Sequence, residues 1–160
     1  MAAVVVVRKA VPTDYDAIAD VMFDAVRNGR SAYSEPQRQA WQPDDSPGPE
    51  WSKRLDEQTV FVAEDLVQLL GFMSLASEGY IDLAFIRPLA QGTGLFRRLY
   101  SEVEDLARKT KQRRLWLHAS LNAQTAFSTM GFIVTRRETV EIRGQFLERF
   151  EMEKQLRHGE

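Results

Sequence analysis

Cysteine is absent from the 160 residues, so disulfides, thiolate metal sites and cysteine nucleophiles are excluded. Histidine is almost as scarce: only His118 and His158 occur, and neither stands at a metal-ligand spacing. No long apolar run is present. The stretch Ala2 to Val7 is far too short to cross a bilayer, and Met1 to Val7 has neither the charged start nor the cleavage site of a secretion signal. Charge of one sign is missing too, because 21 Lys and Arg face 23 Asp and Glu for a formal −2. That balance speaks against a nucleic-acid partner, despite local Arg clusters. Two phosphate-binding signatures are also lacking. There is no G-x-x-x-x-G-K-[ST], and Gly92 and Gly94 have Arg97 where G-x-G-x-x-G needs its third glycine. A chain that is 44% hydrophobic and 28% charged reads as one globular domain over residues 1–160. The expectation is a cytoplasmic protein with a small-molecule partner and no membrane contact.

The stretch that organises the rest runs from Phe85 to Leu106. It begins as an apolar strand with Ile81, Leu83, Phe85 and Ile86, stops at Pro88, and crosses the turn Gln91-Gly92-Thr93-Gly94. A helix follows, with Leu95, Leu99, Val103 and Leu106 on one face. Gly92 and Gly94 permit positive φ and close approach of a ligand, and the helix start offers unpaired N–H groups and the positive end of its dipole. Together these make a cradle for phosphate. The plainer reading, a simple strand-to-helix connection, fits two glycines as well.

Before it, Val4 to Arg8 reads as a strand, and Thr13 with Asp16 as a capping box opening a helix faced by Ile18, Val21, Met22, Ala25 and Val26. Ser31 to Pro49 is a long uneven connection with a short helical segment at Ser34 to Trp41, the profile of a functional loop. A brief helix at Glu50 to Glu57 precedes a hairpin of Thr59 to Glu64 with Leu69 to Ala76. Tyr80 to Arg87 reads as one strand. Beyond the main helix come a strand at Leu115 to Ala119, a helix at Ala123 to Met130, and strands Phe132 to Ile142 and Phe146 to Lys154 around Arg143-Gly144. The order predicts an α/β fold of α+β flavour: a mixed, mostly antiparallel central sheet with helices on both faces.

That order, with Gln91-Gly92-Thr93-Gly94-Leu95-Phe96 between strand and helix, resembles the GNAT superfamily of N-acetyltransferases. The family pattern there is Gln or Arg, two residues, Gly, one residue, then Gly or Ala; Phe96 departs from it at the last position. Phe85-Ile86-Arg87-Pro88 resembles the family's strand-ending x-V-x-P, and Ala123, Phe127 and Met130-Gly131-Phe132 its A-x-x-x-(F/Y)-x-x-x-G-F segment. Ala32-Tyr33-Ser34 with Gln37 and Ala40-Trp41, and the tail from Arg143-Gly144 to Met152-Glu153-Lys154, resemble its YafP-like bacterial branch.

The resemblance implies acetyl-CoA as cofactor, a GNAT-like single-domain fold, and transfer to the amine of a small molecule by direct attack on the thioester. Backbone N–H groups from Gln91 through Phe96, with Gly92, Thr93, Gly94 and Leu95 between, would hold the pyrophosphate. Arg97 and Arg98 would contact phosphate. Phe85 and Ile86 would pair with the pantetheine arm, and the Ile86 N–H would stabilise the developing oxyanion. Ser120 is the expected contact to the arm, Asn122 the expected helix cap, and Phe127 packs at the cofactor. Many relatives use a Tyr at the Phe127 position to protonate the leaving thiolate; Ser128, Tyr80 or Tyr33 would have to substitute, Ser128 being nearest in sequence. Departure as thiolate costs only about 2 kcal/mol at pH 7, for a thiol pKa of ~8.5. Asp82, or failing it Glu78, is the candidate base. Tyr33, Gln37, Trp41 and Tyr80 are candidates for binding the acceptor. Other readings stay open: a catalytically silent CoA-binding sensor or interaction module, and an acetyltransferase acting on a protein amine. Strands beyond Phe132 would also allow a homodimer across a two-fold axis.

Overall fold

The computed structural model describes residues 4–157; His158 and the first residues of the Met1 to Val7 stretch lie outside them. β1 (Val6–Lys9), β2 (Thr59–Glu64) and β3 (Leu69–Leu75) form an antiparallel run. Every residue of β3 is buried, because α1 (Tyr15–Arg27) and α3 (Trp51–Asp56) cover one face while α4 (Leu95–Lys109) covers the other. The sequence accordingly shows no polar alternation there. On α4 the expected stripe is inside: Leu95, Leu99 and Val103 are buried and Leu106 is half-buried.

The opening of α1 differs from the expected capping box. A 3-10 turn at Pro12–Asp14 precedes the helix, and Asp14 rather than Asp16 closes it by accepting the Val11 N–H at 2.8 Å. Asp14 is also gripped by Arg8 at 2.8 and 2.9 Å, tying the helix start to β1. α2 (Glu35–Trp41) follows the reading, with Ser34 as a capping-box residue accepting from Gln37.

The expected single strand from Tyr80 to Arg87 is divided in two. β4 (Tyr80–Ile81) pairs parallel with β6 (Arg114–Ser120), whereas β5 (Ala84–Ile86) pairs antiparallel with β3. Ser74 holds the junction. Its N–H donates to the Leu83 carbonyl at 2.9 Å, and its fully buried hydroxyl accepts the Leu83 N–H at 3.1 Å. With that N–H on a side chain instead of a carbonyl, the chain leaves one ladder and enters another. The expected central sheet is therefore two four-stranded halves, β1-β2-β3-β5 and β4-β6-β8-β7. β7 (Ile133–Ile142) and β8 (Gln145–Gln155) form a long hairpin around Arg143-Gly144, both with positive φ. α5 (Gln124–Thr129) packs on β6. Among the described residues, no helix is long and apolar enough to cross a membrane.

Candidate active site

β5 pairs with β3 and not with β6, and a gap lined from both strands lies between the two half-sheets. The register fixes what faces it. Arg87 N–H donates to Leu70 and Ser74 N–H to Leu83, so Phe85 lies at a hydrogen-bonded position against Phe72. Ala84 and Ile86 alternate with these and turn their backbone groups towards the gap. The expectation that Phe85 and Ile86 both offer backbone to an added strand is thus corrected to Ala84 and Ile86. Phe85 contributes its ring, set at a tilt between Trp41 at 5.9 Å and Phe72 at 5.8 Å.

Two cavities meet at this gap. The larger, of about 970 Å³, runs along Ala84 to Ile86 and the turn Gln91, Gly92, Gly94, Leu95, Phe96 and Arg97. Gly92 (φ 76°) and Gly94 (φ 85°) are left-handed, and a Cβ on either would meet nothing within 4 Å. The cradle is thus open to a ligand. The first helical bond of α4 runs from Arg98 N–H to Gly94 at 3.2 Å. The N–H groups from Gly92 to Arg97 find no backbone acceptor among the described residues. Gln91 differs: its N–H donates to Pro88 at 3.3 Å and its side chain to the Ile86 carbonyl at 3.2 Å. It shapes the turn while its own N–H is taken. Thr93 also braces the turn, through its hydroxyl, which donates to Ala90 at 2.5 Å, and its side chain does not line the cavity. Arg97 is an exposed, unpaired cation at the rim among the described residues. Arg98 instead turns to the Val5 carbonyl at 3.1 Å, away from the cradle.

Ser120 and Asn122 both differ from their expected roles. Ser120 Oγ accepts the Ala123 N–H at 3.1 Å, so it is the residue that caps the turn into α5, although it borders both cavities. Asn122 accepts from Ala32 N–H at 2.8 Å and donates to Ser31 Oγ at 2.9 Å, fastening the long loop to the end of β6.

The smaller cavity, about 410 Å³, lies on the other side of the junction. Tyr33, Trp41 and Tyr80 line it, as expected, but Gln37 does not. Gln37 donates to the Phe146 carbonyl at 2.7 Å and accepts from Ser34, pinning α2 to β8. Tyr33 is buried, donating to the Glu148 carbonyl at 2.6 Å and accepting from Leu121 N–H at 2.9 Å. Burial pushes its phenol pKa up, so it stays a protonated strut. Ser128 is exposed, bonded to Gln124 at 3.0 Å and outside both cavities, which removes it as a proton donor. Glu78 is likewise exposed and lines neither.

Asp82 does line the cavity, but its carboxylate is occupied. Arg54 grips it with two bonds at 2.8 and 3.0 Å, and Gln58 adds a third at 2.9 Å. Burial opposes the charge, yet these donors hold the carboxyl below the usual carboxylate range. A base so stabilised as an anion has little affinity for a proton, and Asp82 is better described as the clamp that orders Arg54. Asp82→Asn is expected to cost about 1–2 kcal/mol at pH 7, a small value because Arg54 is partly solvated. The depressed pKa gives stability that is present above the unfolded carboxyl value of ~3.9 and lost as pH falls through the folded one. Thermal melts from pH 7 to pH 3 should therefore show the two proteins converging on the acid side, with the alkaline limb of the rate profile unmoved.

His118, which sequence reasoning left without a role, completes the wall. β6 buries Leu115, Leu117 and Ala119 and leaves Trp116, His118 and Ser120 half-buried, and of these His118 and Ser120 line the cavity. That alternation was visible in Leu115 to Ala119 and would have flagged it. Phe127 is buried at the far end, its ring edge-on to Phe96 at 4.9 Å and Phe132 at 5.3 Å. The two positions that depart from the GNAT pattern, Phe96 and Phe127, thus form one contact.

A divided strand, a left-handed glycine turn at a helix start and a second cavity at their junction fit the GNAT resemblance. The family model for the GNAT acetyltransferase domain matches residues 30–156. The chain belongs to the GNAT acetyltransferases. It is 29% identical over 154 residues to the uncharacterized N-acetyltransferase YafP of Escherichia coli K12, covering 95% of this chain and 97% of that protein. The solved GCN5-related N-acetyltransferase of Rhodopseudomonas palustris superposes with TM-score 0.87 at 27% identity, over 98% of this chain and 99% of that one. Salmonella typhimurium yncA, a putative acetyltransferase solved with its cofactor acetyl-CoA, matches at TM-score 0.67 and 22% identity over 98% and 96% of the two chains. The GNAT assignment made from three short motifs stands, as does the mixed α/β fold with helices on both faces.

Proposed function

We propose that this N-acetyltransferase acetylates the amine of a small molecule held in the smaller cavity, by direct attack on the thioester of acetyl-CoA. The observation that supports this best is the junction itself: Trp41, Ala84, Phe85, Ser120 and Ala123 border both cavities. A volume of about 410 Å³ suits a small acceptor, at the lower end of small-molecule pockets. The long loop through Tyr33 and Trp41 and the β7–β8 hairpin through Leu147 close it on two sides, leaving little room for a peptide.

The residues suit the cosubstrate. The open N–H groups from Gly92 to Arg97 and the Arg97 guanidinium would hold the pyrophosphate, and Ala84 and Ile86 would pair with the pantetheine amides. Acetyl-CoA supplies the activated acyl group. The Ile86 N–H would donate to the carbonyl oxygen as charge develops there. A cytoplasmic location and a homodimer through the edge strand β7, where Ile133 and Val134 are exposed, belong to the same reading.

Calorimetric titration with acetyl-CoA, followed by thiol release across a panel of small amines, tests it. Binding with turnover is the expected result. Binding without turnover on any amine would favour a sensor, and acetylated protein in mass spectra would favour a macromolecular acceptor. No binding would overturn the cofactor site.

A further inference from the structure

We propose that Tyr80 and His118 act as one proton-accepting pair, taking the proton that an ammonium acceptor must lose before it can attack. This rests on the amine-acetylation reading above and supplies the base that Asp82, held by Arg54, does not provide. Tyr80 Oη lies 2.9 Å from His118 Nδ1, and both side chains line the smaller cavity. The pair is held rigidly. The Tyr80 ring packs on Trp116 at 4.5 Å, and the Trp116 indole N–H donates to the Glu78 carbonyl at 3.2 Å.

The surroundings decide which way the bond runs. His118 Nε2 faces Glu138 Oε1 at 3.6 Å and Glu151 Oε1 at 3.8 Å. A protonated Nε2 is attracted to both carboxylates, whereas a bare Nε2 lone pair would be repelled by both. The proton therefore sits on Nε2, leaving Nδ1 as acceptor and the Tyr80 hydroxyl as donor. The oxygen of Tyr80 keeps its lone pairs for a donor in the cavity.

Charged groups reach the pair from several elements. Glu138 and Arg136 reach His118 from β7, Glu151 and Arg149 from β8, and Asp82 with its Arg54 stands beside Tyr80. Glu138 is itself bonded to Arg149 at 2.7 Å, so the two carboxylates act on the imidazole by field, not by a short bond. Burial, helped by Arg149, holds the His118 pKa below its ordinary value. The ring is thus neutral and ready to accept at pH 7.

The ammonium gives one proton to Tyr80 Oη as the tyrosine proton passes to Nδ1, forming an imidazolium with both N–H groups partnered. The freed nitrogen lone pair forms the C–N bond, and the C–S bond breaks with its electron pair leaving on sulfur. The second nitrogen proton ends on that sulfur, and the imidazolium returns its proton to water. No separate acid is needed, which is consistent with Phe127, a side chain that cannot donate a proton.

The test compares benzylamine, an ammonium at pH 7, with aniline, already neutral there. Tyr80→Phe and His118→Gln keep the packing and should reduce thiol release on benzylamine by about 100-fold or more, the usual reach of a general base. The loss on aniline should be smaller by at least about tenfold. Equal losses on the two amines would overturn the pair as a proton acceptor. If the unaltered protein binds acetyl-CoA yet turns over neither amine, the fault lies with the acceptor reading. Nitrogen-15 NMR of the ring then judges the pair alone, with His118→Gln identifying its signals. A ring protonated at Nε2 whose titration shifts on Tyr80→Phe supports it; protonation at Nδ1 overturns it.

Discussion

Gly94→Glu should abolish acetyl-CoA binding, raising Kd by at least about 100-fold, equivalent to roughly 3 kcal/mol. Two effects add. The residue sits at φ 85°, a conformation that costs an L side chain roughly 1–2 kcal/mol. The new carboxylate would also lie in the cradle, occupying the unpaired N–H groups from Gly92 to Arg97 and repelling phosphate. Because a Cβ at Gly94 meets nothing within 4 Å, the protein should still fold, with a lowering of Tm that reflects backbone strain alone. Gly94→Ala separates the two effects, since it carries the strain without the charge and should weaken binding far less. Calorimetry on the three proteins checks this, and retained affinity in the glutamate variant would remove the glycine turn from the cofactor site.

The glycine turn was legible because its chemistry is local. Two glycines between an apolar strand and an amphipathic helix state their own conformation, and the hydrophobic spacing of Leu95, Leu99 and Val103 fixes the helix that follows. The hairpins were legible for the same reason. The divided strand was not. Tyr80 to Ile86 alternates like any strand, and what parts it is Ser74, a small residue on a different strand whose hydroxyl captures the Leu83 N–H. Nothing near Leu83 in sequence announces that. The same limit governed the site residues. Asp82 has the chemistry of a base, but Arg54 and Gln58, more than twenty positions away, hold its carboxylate. Gln37 and Asn122 have the polar groups of ligand contacts, but both are spent fastening the long loop to the half-sheet formed by β6 and β8. Helix and turn chemistry is written within a few residues, whereas the purpose of a polar side chain depends on what the fold brings to it.

Phe127 is where the chain's departure from its family can be measured. Phe127→Ala should destabilise the protein by about 3–5 kcal/mol, because a 2% exposed ring in edge-on contact with both Phe96 and Phe132 leaves a void between α4, α5 and the residue before β7. Loss of the contact with Phe96 would also loosen the start of α4, so acetyl-CoA affinity should fall with stability. Phe127→Tyr asks a different question, as it adds the hydroxyl that the family resemblance leads one to expect there. If proton supply to the sulfur limits the reaction, turnover should rise. If the acceptor nitrogen supplies that proton, after Tyr80 and His118 have taken the first, kcat should stay within about twofold, since an acid that is not limiting adds nothing. We expect the second result. The melting temperature of the same variant then says where the new hydroxyl lies. A hydroxyl facing the smaller cavity keeps its water and costs little, whereas one sealed among Phe96 and Phe132 without a partner costs about 1–3 kcal/mol. A rise in turnover with unchanged stability would show that the missing acid limits the reaction after all, leaving the Tyr80–His118 pair responsible for the first proton only.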